Sequence, residues 1–145
     1  VGDLFRDGTA DFSRDVSQLL ADIERGHSSE AAGAECRPPL DVVDTSTSVE
    51  VLVDLPGVAG ASVRVALRHD ALLIVGTKAQ ATADPGAKYH VAERSYGRFA
   101  RAVRLTGAFD GSRARATMSA GQLRVVLPLI EDRRGRLMRI PVESS

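Results

Sequence analysis

The residues of this chain best suited to chemistry are three histidines, one cysteine and one adjacent His-Asp pair. His27, His69 and His90 lie 42 and 21 residues apart. Metal sites are usually announced by close spacings such as H-x-x-x-H or C-x-x-C, and neither occurs. His69-Asp70 could serve as an acid–base pair, but it sits between two strand-like stretches and reads as a hairpin turn. There is no G-x-S-x-G elbow and no phosphate-cradling G-x-x-x-x-G-K, and G-V-A-G at 57–60 reads as a turn. Catalytic, metal and cofactor sites are therefore not expected, and the chain is read as a non-enzyme. An enzyme built on His69 and Asp70 would need activity lost on replacing His69 while assembly stays unchanged.

Bulk properties narrow the alternatives. The 145 residues suit one domain with appendages. Nineteen basic and nineteen acidic residues balance, whereas a nucleic-acid surface needs a basic excess. Aromatics are scarce and Trp is absent, which disfavours base stacking. The neutrality hides a gradient. Residues 1–39 carry 4 basic and 8 acidic groups, residues 40–130 carry 11 and 8, and residues 131–145 carry 4 and 3. The longest apolar run, A-L-L-I-V at 71–75, falls far short of the ~20 residues that span a bilayer, so no membrane insertion is expected. One cysteine, Cys36, cannot close an internal disulfide. With no signal-like opening, the expectation is a cytoplasmic protein with an exposed free thiol.

Three zones follow from hydrophobic period. In residues 1–39, Phe12, Val16, Leu19, Leu20 and Ile23 recur at helical spacing, predicting an amphipathic helix near 11–25 that stops at Gly26. Leu4 and Phe5 add a small apolar cluster, and H-S-S-E-A-A-G-A-E-C-R-P-P reads as a flexible linker. So short a helix is marginal alone, and its stripe must cover either its own domain or another molecule. Residues 40–130 change to a period of two. Val49, Val51, Val53 and Leu55 alternate with other residues, as do Val63, Val65 and Leu67, and Leu123, Val125, Leu127 and Leu129. L-P-G-V (55–58) and D-P-G-A (84–87) suit type II turns. The whole predicts an all-β, antiparallel, immunoglobulin-like β-sandwich with a partly helical N-terminal arm and an extended C-terminal tail.

The tail, 131–145, is too polar to fold alone, yet it carries Ile140 and Val142 around Pro141. Residues i and i+2 of an extended chain project to the same side. Proline holds its own φ and biases its predecessor toward extended geometry. Two aliphatic knobs are thus prepared to enter neighbouring holes beside a sheet edge. Full burial of the pair would contribute about 3–5 kcal/mol gross, much of it offset by ordering and docking. Taken by itself the segment reads as an untethered tail with incidental apolar residues; were it to dock on many subunits, such weak links would give a large assembly that still exchanges.

Four motifs carry a resemblance. V-L-V-D-L-P-G-V (51–58) leads into V-R-V-A-L and then an L-x-I-x-G formed by Leu72, Ile74 and Gly76. Residues 89–105 read Y-x-x-x-E-R-x-x-G-x-F-x-R-x-x-x-L, residues 116–123 read A-x-x-x-x-G-x-L, and 140–142 read I-P-V. In this order and spacing the chain resembles the small heat-shock protein family, bacterial type, whose core is the α-crystallin domain. Departures are Ala120 where Asn or Asp is usual, Gln122 where Val is common and Thr106 where Pro is common. If position 120 needs φ > 0, Ala there costs on the order of 1 kcal/mol.

The resemblance implies an α-crystallin domain over 40–130 and an ATP-independent holdase for unfolding client proteins, active in the stress response. It also implies homodimers that assemble into a larger homo-oligomer. A monomeric or dimeric adaptor of the p23 type is the alternative, and lacks the terminal tripeptide. By resemblance, Ile140, Pro141 and Val142 form the oligomerisation tail. Its groove lies between Val63, Val65 and Leu67 on one wall and Ala114, Ala116 and Met118 on the other, although alternation alone leaves open which face each set takes. The dimer interface would comprise Tyr89, Val91, Glu93, Arg94, Tyr96 and Arg101, with the stretch holding Tyr89–Ser95 swapped onto a neighbour. Arg101 shares the parity of Phe99, Val103 and Leu105, so it must meet an acid such as Glu93 or lie at an interface. Client capture needs apolar surface that is normally covered, for which Leu4, Phe5, Phe12, Val16, Leu19, Leu20 and Ile23 are the candidates.

Overall fold

The computed structural model describes residues 28–30, 34–80, 84–130 and 141–142. The expected helix at 11–25, the client-binding candidates Leu4 to Ile23 and Ile140 lie outside the described residues. Within them the chain forms β1 (Ser28–Glu30), β2 (Leu40–Asp44), β3 (Ser48–Asp54), β4 (Val63–Arg68), β5 (Ala71–Lys78), β6 (Gly97–Arg104), β7 (Arg115–Ser119) and β8 (Gln122–Pro128). The first sheet runs β1-β6-β5-β4 and the second β2-β3-β8-β7. Every pairing is antiparallel.

Alternation decides what fills the space between the sheets. Val49, Val51 and Val53 from β3 and Leu123, Val125 and Leu127 from β8 meet Leu72 and Ile74 from β5 and Phe99 and Val103 from β6. Each such side chain removed from water contributes about 1.5–3 kcal/mol, so this layer holds the sandwich together. Strand β5 is buried on both faces over Ala71–Val75, which explains why it reads as an unbroken apolar run rather than an alternation.

Turn chemistry is obeyed at one Pro-Gly and overridden at the other. At 55–58 the Val58 N–H donates to the Leu55 carbonyl at 3.2 Å and Gly57 takes φ +77°, the positive value that the third residue of a type II turn requires. At 84–87 the Ala87 N–H donates to the Asp84 carbonyl at 3.1 Å, but Gly86 does not take a positive φ. The type II expectation there is corrected. Asp84 Oδ1 accepts from the Gly86 N–H at 2.9 Å, and this Asx turn sets the local geometry. The hairpin from β7 to β8 closes through Ala120 at φ +52° and Gly121 at φ +75°, with Ser119 opposite Gln122. His69, at φ +55°, turns the hairpin from β4 to β5.

The reading of 27–39 as a flexible linker is also corrected over its described part. Ser28–Glu30 pairs with β6, Ser29 standing opposite Ala102. Further on, the Glu35 and Cys36 N–H groups both donate to the Arg98 carbonyl, at 2.8 and 3.2 Å. This strap carries Cys36 into the inter-sheet core, where its thiol is buried rather than exposed. A small apolar side chain next to satisfied backbone donors is cheap to bury, and that outweighs the polar composition around it.

Candidate functional site

Both sheets end in an edge strand on the same side of the sandwich, β4 in the first and β7 in the second. Register shows which way their side chains face. Val63, Val65 and Leu67 stand opposite Gly76, Ile74 and Leu72. Ala116 and Met118 stand opposite Val125 and Leu123. Directly paired antiparallel residues share a face, and their partners Leu72, Ile74, Leu123 and Val125 are interior. Both sets therefore face inward, toward one another. Val63, Val65, Leu67 and Met118 are half-buried against the core, and Ala116 is exposed. Ala114 lies just before β7, where it closes a 3-10 turn at Gly111–Arg113.

Two glycines mark the ends of this slot. A β-carbon on Gly60, which opens the 3-10 turn ahead of β4, would sit 3.8 Å from Met118 Cβ. One on Gly111 would sit 2.7 Å from Leu67 Cδ2. The apolar strip between these contacts, formed by half-buried side chains of the two edge strands, is the candidate channel, and the outward backbone groups of both edges can each accept a further strand. Asp110 fixes the Gly111 end. Its Oδ1 accepts from the Ser112 hydroxyl at 2.6 Å and the Ser112 N–H at 3.0 Å. The hydroxyl bond above all holds its carboxyl below the ordinary value against the opposing effect of desolvation, with lesser help from the backbone bond and the nearby Arg113. The channel offers shape and apolar contact for aliphatic side chains rather than acid–base chemistry. Pro141 and Val142 of the tail are exposed, Val142 at 94%.

The residues expected at the subunit interface fall into two groups. Tyr89, Val91, Glu93, Arg94 and Tyr96 lie on an exposed segment with no strand pairing among the described residues, Val91 being 72% exposed. The Gln80 amide donates to the Tyr89 hydroxyl at 2.8 Å. Arg101 instead belongs to β6, opposite Ile74, and its Nη1 donates to the Pro38 carbonyl at 2.7 Å. That acceptor is main chain, so no side-chain pattern could announce it. The opposite edge of the second sheet adds a feature that the sequence reading missed. In β2, Val42 is 43% exposed and Val43 40%, one on each face of an edge strand. The D-V-V-D run was its only signal. Among the described residues no cluster of His, Cys, Asp and Glu could hold a metal ion, and no helix is long and apolar enough to cross a membrane.

Comparison with known proteins agrees with this architecture. The family model described as Hsp20/alpha crystallin family matches residues 41–143. A 16.9 kDa class I heat shock protein of Triticum aestivum is 31% identical over 145 residues, covering 99% of this chain and 95% of that protein. An 18.9 kDa heat shock protein of Oryza sativa subsp. japonica is 31% identical over 115 residues, 79% of this chain and 65% of that protein. The chain thus spans just under two thirds of the rice protein's length. Among solved structures, a small heat-shock protein from Xylella fastidiosa superposes with a TM-score of 0.65 at 25% identity, over 77% of this chain and all of that one. With the sandwich, the ordered motifs and a match over most of its length, this chain belongs to the Hsp20/alpha crystallin family, a family of non-enzymatic chaperones.

Proposed function

We propose that the protein is an ATP-independent holdase of the cytoplasm that binds unfolding proteins through apolar surface and keeps them from aggregating. It works as a dynamic oligomer of dimers. The observation that carries this reading is the pair of inward-facing apolar rows on β4 and β7, open at two sheet edges in a chain that also bears Ile140-Pro141-Val142. An extended tail with knobs at i and i+2 fits such a channel, and the neighbour's tail would fill Val65 and Ala116 at its centre. Dimers would form through the exposed Tyr89–Tyr96 segment and Arg101. The Xylella fastidiosa relative was described as having a distinct high order structure, which supports assembly as the working state.

Heating shifts the docking equilibria toward undocked states, so capture is a population shift rather than a chemical step. The apolar stripe of the N-terminal arm, Leu4 to Ile23, and the vacated channel then meet the client. The test is light scattering from a heat-labile client protein, with the full chain added at increasing ratios and no nucleotide. Scattering should fall in proportion to added protein and be unaffected by ATP. Undiminished scattering, or suppression only with ATP, would reject the reading.

A further inference from the structure

The outer face of the second sheet carries a basic cleft that the apolar channel does not use. Arg115 stands opposite Val126 and Thr117 opposite Arg124. Val126 and Arg124 alternate with Leu123, Val125 and Leu127, which fill the interior, so Arg115 and Thr117 project outward. Here a cavity of about 310 Å³ is lined by Ser112, Arg113, Ala114, Arg115, Val126 and Pro128. Its two arginines are exposed, and its floor of Val126 and Pro128 is half-buried.

Neither arginine side chain has a hydrogen-bond or ion-pair partner among the described residues. The acids beside them are already engaged. Glu50 stands in one row with Val126 and Arg115, but its Oε1 accepts from Arg124 Nε at 2.6 Å. Asp110 lies near Arg113, but its Oδ1 is bonded by the Ser112 hydroxyl and N–H. The cleft thus holds a net positive charge at one end of the free β7 edge, just outside the channel.

We infer that this cleft receives the Glu143 carboxylate from the tail of a second copy, and so fixes the direction in which that tail lies along β7. The inference rests on the tail docking proposed above and gives it a polarity. Ile140 and Val142 are similar aliphatic knobs placed symmetrically about Pro141, so apolar contact alone suits either direction. The charges around them differ: Arg139 precedes the knobs and Glu143 follows them. When the knobs share the inward face with Ala114, Ala116 and Met118, residues 139, 141 and 143 share the outward face with Arg113, Arg115 and Thr117.

Two antiparallel registers keep both knobs on this wall. With Val142 opposite Ala116, Glu143 falls opposite Arg115; with Val142 opposite Ala114, it falls beside Arg113. Two parallel registers do the same for the knobs, but they bring Arg139 against Arg115 or Arg113. Opposite charges across a strand pair attract and like charges repel. The antiparallel direction is therefore favoured in either register, and charge alone decides it.

The test measures subunit exchange between full chains labelled at the N-terminus with donor and acceptor dyes. The parent is compared with Glu143→Arg, with Arg113→Glu/Arg115→Glu, and with the combined reversal, after circular dichroism shows the parent's sheet signal in each. Each separate reversal should speed exchange several-fold, the scale of exposed ion pairs, and less so in high salt. The combined reversal should return exchange toward the parent's rate. Direction is read by disulfides in a Cys36→Ala background, since a link needs β-carbons within about 4.5 Å. Ser144→Cys with Ala114→Cys should link two chains faster than Ser144→Cys with Met118→Cys. Separate reversals without effect, no recovery on combining them, or equal or reversed linking would overturn the proposal. If Ile140→Gly/Val142→Gly still abolishes the larger particle, those failures remove only the polarity; if it does not, the docking itself falls.

Discussion

Arg101 and Pro38 are joined by a hydrogen bond of 2.7 Å, from the guanidinium Nη1 to the main-chain carbonyl. The bond ties β6 to the strap that precedes β2, and the strap in turn holds Cys36 in the core. An inward-pointing charge on an apolar face is thereby given an acceptor inside its own subunit. Arg101→Ala removes that bond and leaves a carbonyl poorly solvated, at an expected cost of about 1.5–3 kcal/mol. Arg104 pairs with exposed Asp70 at 3.6 Å, so Arg104→Ala should cost no more than about 1 kcal/mol. Urea midpoints and the rate at which a thiol reagent reaches Cys36 check both. Arg101→Ala should also lower the dimer population more on sedimentation. Equal, small effects would contradict the assignment.

The turn from β7 to β8 is strained by its sequence. Ala120 holds φ +52° beside Gly121 at φ +75°, a two-residue hairpin geometry that favours Asn-Gly. Ala120→Asn should raise stability by about 1 kcal/mol, moving the thermal midpoint up by several degrees for a domain of this size. Calorimetry measures it. Because β7 is one wall of the channel, native mass should stay unchanged while stability rises.

Gly76 has a steric reason to be glycine. A β-carbon there would stand 2.5 Å from the Ser62 carbonyl oxygen and 2.6 Å from Phe99 Cζ. Phe99 is fully buried and Ser62 ends the turn that opens β4, so neither yields cheaply. Gly76→Ala should destabilise by about 1–3 kcal/mol, read from a urea melt. A loss within experimental error would show the contact to be slack.

Alternation made most of the sandwich legible in the sequence. Val49, Val51 and Val53 and Leu123, Val125 and Leu127 face the interior as their spacing requires, and L-P-G-V forms its type II turn. What escaped lacks a side-chain period. The strand Ser28–Glu30 is short and polar, and its place depends on pairing with β6 rather than on composition. Cys36 is one apolar residue in a polar stretch, buried because neighbouring N–H groups find the Arg98 carbonyl. D-P-G-A departs from its Pro-Gly signature because Asp84 bonds its own backbone. At the channel, both rows were named from the motifs, but their common inward direction comes from register across β5 and β8, which no single strand contains.

Native mass of the full chain carrying Ile140→Gly/Val142→Gly, measured beside the parent protein, decides whether the tail fills the channel between β4 and β7. Loss of two aliphatic knobs removes about 3–5 kcal/mol of gross burial per tail without touching the sandwich. The variant should keep the parent's sheet signal and its dimers while the larger particle disappears. A particle of unchanged mass would contradict the docking of Ile140 and Val142 and remove the tail from assembly.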